Sequence, residues 1–114
     1  MLIRLKSKKI RVTERRFILE INMSTKDKLY FALKDFVTGN YRTEDFCSWF
    51  SILYFHELNY DDLNEIEYKL FNELANIADR FSPYEEDLKI PNVYFNEREV
   101  FEKAKETYNI LINE

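Results

Sequence analysis

One glycine, two prolines, one cysteine and one histidine are all that 114 residues hold of these four types, and each scarcity removes a class of answer. So few turn formers exclude a barrel or sandwich, whose many tight reversals draw on Gly and Pro. The lone Cys47 cannot close an internal disulfide and no cleavable signal pattern opens the chain, so a reducing cytoplasm is the expected location. No apolar run is long enough to cross a bilayer, and no membrane partner is expected. With one His and one Cys there is neither a zinc-ligand set nor a Cys-His nucleophile, and Cys47 and His56 are read as structural. No catalytic residue, metal or cofactor is implied. Asp61-Asp62 lacks the alternating ligands, central Gly and closing Glu of a calcium loop.

What is present is 46% hydrophobic and 17% aromatic content, enough for one sizeable core, and 33% charged residues, which suits amphipathic helices. The expected class is all-α, a single domain. Ser24, with Asp27 three residues on, predicts the start of a first helix carrying Leu29, Ala32, Leu33, Phe36 and Val37, and Gly39-Asn40 predicts its end. Thr43 is the expected cap of a second helix, with Glu44 and Asp45 in its first turn and Phe46, Trp49, Phe50 and Leu53 inward as far as Leu58. Asn59-Tyr60-Asp61-Asp62 turns into a third helix, with a seam of Leu63, Ile66, Leu70, Leu74, Ile77 and Phe81. Trp49 and Phe81 are expected at the centre of the core. Pro83 ends the third helix, and Leu88, Ile90, Val93 and Tyr94 predict an extended crossing stiffened by Pro91. Asn96 and Glu99 make a capping box for a last helix, with Phe95 stapled onto Val100 and a buried face of Val100, Phe101, Ala104, Tyr108, Leu111 and Ile112.

Charge is unevenly distributed. Residues 1 to 22 carry seven Lys or Arg against two Glu, a net +5, and the remaining 92 carry ten basic against nineteen acidic groups, a net −9. Three readings of residues 1 to 22 stand side by side: a strand pair at Ile10/Val12 and Phe17/Leu19/Ile21, a basic solvated tail, or a translated leader ahead of a natural start at Met23. Leu19-Glu20 is compatible with the translated image of a purine-rich ribosome-binding site. The acidic body repels nucleic acid and attracts a basic protein.

Two stretches concentrate that acid. Asp79-Arg80-Phe81-Ser82-Pro83-Tyr84-Glu85-Glu86-Asp87 follows the end of the third helix with three consecutive carboxylates beside Tyr84. Between Thr43 and Tyr68 stand seven carboxylates (Glu44, Asp45, Glu57, Asp61, Asp62, Glu65, Glu67) and no Lys or Arg. Helix-dipole compensation accounts for the first acids but not for the missing cations, because an exposed helix ordinarily mixes signs. The bland alternative is a solvated loop and a solvated face. The candidate binding residues are Asp79, Tyr84, Glu85, Glu86 and Asp87 in the connector, with Asp61, Asp62 and Glu65 at the start of the third helix.

Phe46-Cys47 with Phe50 and Leu53-Tyr54, then Asp79-Arg80-Phe81-Ser82-Pro83-Tyr84-Glu85, then Tyr94-Phe95-Asn96-Glu97 before a final helix, together resemble the colicin D immunity protein family over roughly Lys26 to Leu111. The Arg-Phe-x-Pro core is the most specific piece. Ser82 and Tyr84 stand where the best-known member has acidic residues, and residues 1 to 22 match nothing in the family. The resemblance implies an antiparallel four-helix bundle that binds a cognate toxin nuclease, a transfer-RNA-cutting enzyme of colicin D type or a contact-dependent growth inhibition toxin, in a 1:1 complex. It also implies that Asp79, Glu85, Glu86 and Asp87 occupy the basic cleft in place of RNA phosphates. The alternative from another class is an acidic helical adaptor or regulator whose partner is unrelated to a nuclease.

If residues 1 to 22 are leader, the helical pattern closes without them. A chain beginning at Met23 is then expected to keep the melting temperature of the full chain. A loss of about 1 kcal/mol or more, a large share of a small domain's stability, would instead show Phe17, Leu19 and Ile21 to be packed.

Overall fold

The computed structural model describes residues 23 to 113. The expectations for residues 1 to 22, strand pair, basic tail or leader, fall outside the described residues. Within them the chain is all-α: α1 (Thr25–Val37), α2 (Thr43–Ile52), α3 (Glu65–Ala78), a single turn α4 (Glu85–Leu88) and α5 (Glu97–Ile112). A π turn (Leu53–Glu57) prolongs α2, and a 3-10 turn (Tyr60–Asp62) precedes α3. There are no β-strands among the described residues, only an isolated parallel bridge between Phe81 and Phe95.

The helix ends follow from local chemistry. Ser24 Oγ accepts from Asp27 N–H at 3.1 Å, as the sequence predicts. Gly39 has φ 87°, and two bonds close α1 behind it, Asn40 N–H to Asp35 C=O at 2.8 Å and Gly39 N–H to Phe36 C=O at 3.1 Å. That is the six-to-one and five-to-two pattern a left-handed glycine permits. The α5 capping box is present in both directions, Glu99 N–H to Asn96 Oδ1 at 2.8 Å and Asn96 N–H to Glu99 Oε1 at 2.9 Å. Thr43 is a correction: Arg42 occupies the cap of α2 without a side-chain bond, and the Thr43 hydroxyl donates to Glu97 Oε2 at 2.8 Å. A carboxylate on α5 outcompetes the local amide, and the bond ties the starts of α2 and α5 together.

The core is largely aromatic. Phe36 of α1 stacks on Phe46 of α2 with centroids 4.2 Å apart, and Phe46 meets Phe50 at 5.1 Å. Phe50 meets Phe71 of α3 at 5.8 Å, Phe71 meets Tyr30 of α1 at 5.2 Å, and Phe101 of α5 meets Phe36 at 5.6 Å. Such pairs contribute about 0.5–1.5 kcal/mol each beyond the area they bury. α1 packs on α2 and α5, and α3 on α2 and α5.

The inward face of α3 is rotated from the predicted seam. Glu67, Leu70, Phe71, Leu74, Ala75 and Ala78 are buried, whereas Leu63, Ile66, Ile77 and Phe81 pack at its edge. Trp49 and Phe81 are therefore peripheral to the core rather than central. The large Phe71 ring takes the centre, and Ala75 and Ala78 let neighbouring helices approach closely. Ile112, predicted inward, is 54% exposed, one position past the last buried residue of α5, Leu111. The crossing after Pro83 is not extended: residues Glu85–Leu88 wind into a helical turn, and Ile90, Val93 and Tyr94 are exposed. Carboxylates in a first turn suit its amides, and Leu88 N–H bonds to Tyr84 C=O at 3.1 Å.

Glu67 is buried and fully engaged. It accepts from Tyr30 Oη at 2.6 Å and from Asn64 N–H at 2.9 Å, and Lys26 Nζ lies 3.3 Å away. Asn64 Oδ1 accepts from Glu67 N–H in return, a capping box that starts α3 and docks it on α1. Burial opposes the charge, but the Tyr30 hydroxyl, the Asn64 amide and Lys26 outweigh it and hold the carboxyl below its usual range.

Phe71→Ala is expected to cost about 3–5 kcal/mol in chemical denaturation, and Phe81→Ala, at the edge, clearly less. Equal losses would return Phe81 to the centre. Because the folded carboxyl of Glu67 is the stronger acid, its contribution is complete above the unfolded value of about 4.3 and is lost as pH falls through the folded value. Glu67→Gln is expected to be about 1–3 kcal/mol less stable at pH 7, with the gap to wild type closing in acid. A gap that does not narrow as pH falls would rule out an ionised Glu67.

Candidate binding surface

The connector is built on Ser82. Its side chain is buried, its N–H donates to Phe95 C=O at 3.0 Å, and Phe95 N–H donates to Arg80 C=O at 2.9 Å. Ser82 Oγ donates to Asp87 Oδ2 at 2.8 Å and accepts from Tyr84 N–H at 3.1 Å. Pro83 deprives the next position of a donor, so the hydroxyl bonds the amide one residue further on. The Arg80 guanidinium lies 5.7 Å over the Phe95 ring on the outside of this clasp.

The predicted residues divide into groups. Tyr84 is 65% exposed, and Glu85, Glu86 and Asp79 are exposed at the same end of α3. Asp87 is half-buried and holds Ser82, which makes it part of the scaffold. Asp61 and Asp62 lie in the 3-10 turn and Glu65 opens α3, all exposed. At a 1.5 Å rise per residue, the fourteen residues of α3 put this second group about 20 Å from the first. Among the described residues, none of Asp61, Asp62, Glu65, Asp79, Glu85 and Glu86 makes an ion pair.

Between the two segments that carry Glu44 and Asp79 runs a groove of about 390 Å³. One wall is α2 and its π turn, through Ser48, Ser51, Ile52, Phe55 and His56; the other is Ala78, Phe81 and Pro83. Among the described residues, no Lys or Arg lines it. Sequence reasoning missed this groove, because it took the lining residues one at a time. The signal available was the pair Phe55-His56, apolar and imidazole, just past a buried pair Leu53-Tyr54. The π turn, closed by Leu58 N–H to Leu53 C=O at 3.0 Å, adds a residue to the helical repeat and turns Phe55 outward, 38% exposed. Cys47 reaches the groove wall as a buried thiol whose pKa burial pushes up to about 12, so it stays protonated and inert at neutral pH.

A second exposed aromatic set flanks Asp61 and Asp62. Tyr60 Oη donates to Tyr54 C=O at 3.0 Å, satisfying a carbonyl at the end of the helix, and its ring meets Tyr54 at 5.3 Å and Tyr68 at 6.0 Å. Tyr54 Oη donates to Asn72 Oδ1 at 3.1 Å, and burial, then the neighbouring Tyr68 and Tyr60, push its pKa up to about 12.

Among the described residues, no group of three or more His, Cys, Asp or Glu is placed to hold a metal ion, and no helix is long and apolar enough to cross a membrane. No protein-family model, curated protein or solved structure matches the chain.

Proposed function

We propose that the protein is an immunity protein, a four-helix antiparallel bundle of colicin D immunity type that neutralises a cognate toxin nuclease by presenting acid to its RNA-binding cleft. The observation that carries this reading is the connector, where Asp79, Glu85 and Glu86 are exposed and without ion pairs among the described residues, on a loop held rigid from inside by Ser82, Asp87 and Phe95. A nuclease must gather Lys, Arg and His to hold phosphates and cannot discard that charge without losing activity. Carboxylates held in a fixed geometry exploit that requirement, and rigidity removes an ordering cost from binding. Exposed Tyr84 stands beside them as the aromatic anchor. Cytoplasmic location and a 1:1 complex follow from this reading. The residue resemblance of Arg80-Phe81-Ser82-Pro83 supports it, and the net −9 of residues 23 to 114 supports a basic partner.

The test uses the product of the reading frame immediately upstream, which this reading expects to end in a nuclease domain. Asp79→Asn, Glu85→Gln and Glu86→Gln combined leave Asp87 in its structural bond, so circular dichroism is expected to stay that of wild type. The association rate is expected to fall at low salt and its salt dependence to flatten, because steering comes from these charges. Close charge pairs between the nuclease barnase and its inhibitor barstar couple by about 1.5–7 kcal/mol in double-mutant cycles, so nuclease inhibition is expected to weaken by about tenfold or more. Full inhibition by the folded triple variant would remove the connector from the interface. A wild-type chain that fails to bind the upstream product would favour the acidic adaptor.

A further inference from the structure

We infer that the groove between α2 and the Phe81–Pro83 segment is a specificity pocket that seats one apolar side chain of the partner, flanked by Lys or Arg on the same segment. This rests on the reading of the partner as a basic protein and goes beyond it, because the connector carboxylates alone would take any cationic surface.

The rim selects charge. Glu44, which also pairs with the exposed Arg42 at 3.6 Å, stands on one side and Asp79 on the other, and among the described residues no Lys or Arg lines the groove itself. The floor selects shape. Ile52 and Phe55 are exposed large apolar residues on one wall, and half-buried Phe81 faces them from the other. A volume of about 390 Å³ leaves room for a large side chain between them.

A further observation supports the pocket. The π turn replaces good helical bonds by a wider repeat, and its effect is to bring Phe55 and His56 to the groove. Such turns recur at functional sites because the extra residue re-aims side chains.

The pocket and the connector then divide the work. Connector charges act at a distance and set the encounter rate, whereas a seated side chain acts only after contact and sets residence time. Immunity proteins facing similarly basic clefts would differ in what this pocket accepts, which makes it the place where one nuclease is told from another.

The experiment has two arms on the full chain. In the first, the acetylated and amidated tripeptide Arg-Phe-Arg is titrated against the isotope-labelled protein, with Arg-Ala-Arg and Glu-Phe-Glu as controls. Shifts at Ser51, Ile52 and Phe81 amides are expected with Arg-Phe-Arg and not with either control. Equal shifts with Arg-Ala-Arg, or none with Arg-Phe-Arg, would overturn the apolar seat. Contacts in the free protein between the groove and its own residues 1 to 22 would also overturn it. In the second arm, Ser48→Trp fills the groove from the exposed face of α2 and Phe55→Ala removes a wall, both without changing charge. Against the upstream nuclease domain, each is expected to leave the association rate within about twofold and to raise the dissociation rate at least about tenfold. Unchanged dissociation in a folded variant would reject the pocket while leaving the connector reading in place. Failure of wild type to bind that nuclease would reject the immunity reading, and the tripeptide arm would still decide the pocket.

Discussion

Two main-chain hydrogen bonds hold the connector on which the proposed binding surface is built. Arg80 C=O receives Phe95 N–H and Phe95 C=O receives Ser82 N–H, so the end of α3 and the residue before the α5 cap are locked side by side. One bridge with no sheet around it is weak alone, and here it is reinforced from both sides. Ser82 is buried and spends its hydroxyl on Asp87 and Tyr84, and Asn96, directly after Phe95, begins a complete capping box. The loop between Ser82 and Phe95 therefore begins and ends at fixed points. Its outward acids inherit that rigidity without taking part in it.

Carboxylates that look alike in the sequence play opposed roles in the fold. Glu67 belongs to the cation-free stretch from Thr43 to Tyr68, yet it is buried and satisfied by Tyr30, Asn64 and Lys26. Asp87 is the last of three consecutive acids, yet it turns inward to Ser82. A buried carboxylate is tolerated only when donors fill its lone pairs, and Glu67 and Asp87 both have such donors within 3 Å. Their neighbours Glu65, Glu85 and Glu86 make no ion pair among the described residues and remain as outward charge. Counting acids therefore overstates the acidic surface, and the donors around each carboxylate correct the count.

The ends of helices were the most legible part of the fold. Ser24, Gly39, Asn96 and Glu99 act through bonds to residues a few positions away, and such bonds are legible from local sequence unless, as at Thr43, a distant partner competes. The Asn64–Glu67 box was hidden behind Asn59-Tyr60-Asp61-Asp62, a stronger turn signal that forms its own 3-10 turn just upstream. The rotation of α3 was not legible, because Leu63, Ile66 and Ile77 have the same spacing as the buried residues and only packing against Phe50 and Tyr30 chooses Phe71. In the candidate site, exposure of Tyr84, Glu85 and Glu86 was legible from Pro83 and the acid run. The groove was not, since Glu44, Ser51 and Phe55 meet Asp79 and Phe81 only through the pairing of α2 with α3.

The distance between the two acid groups fixes how they can cooperate. Glu65 and Asp79 are fourteen positions apart, and at 3.6 residues per turn this brings them to within about 40° of the same side of α3, roughly 20 Å apart along it. A standard interface of about 800 Å² per partner is roughly 30 Å across, so one protein surface can cover both ends. At physiological ionic strength the Debye length is about 8 Å, so exposed charges at one end are largely screened from the other. A partner reaching across α3 thus meets two electrostatically separate acid sites. Their contributions are expected to add, because residues this far apart with no shared partner seldom couple. Coupling, where it exists, would belong inside the groove, where Asp79 and Glu44 line the same space and would face the proposed occupant together.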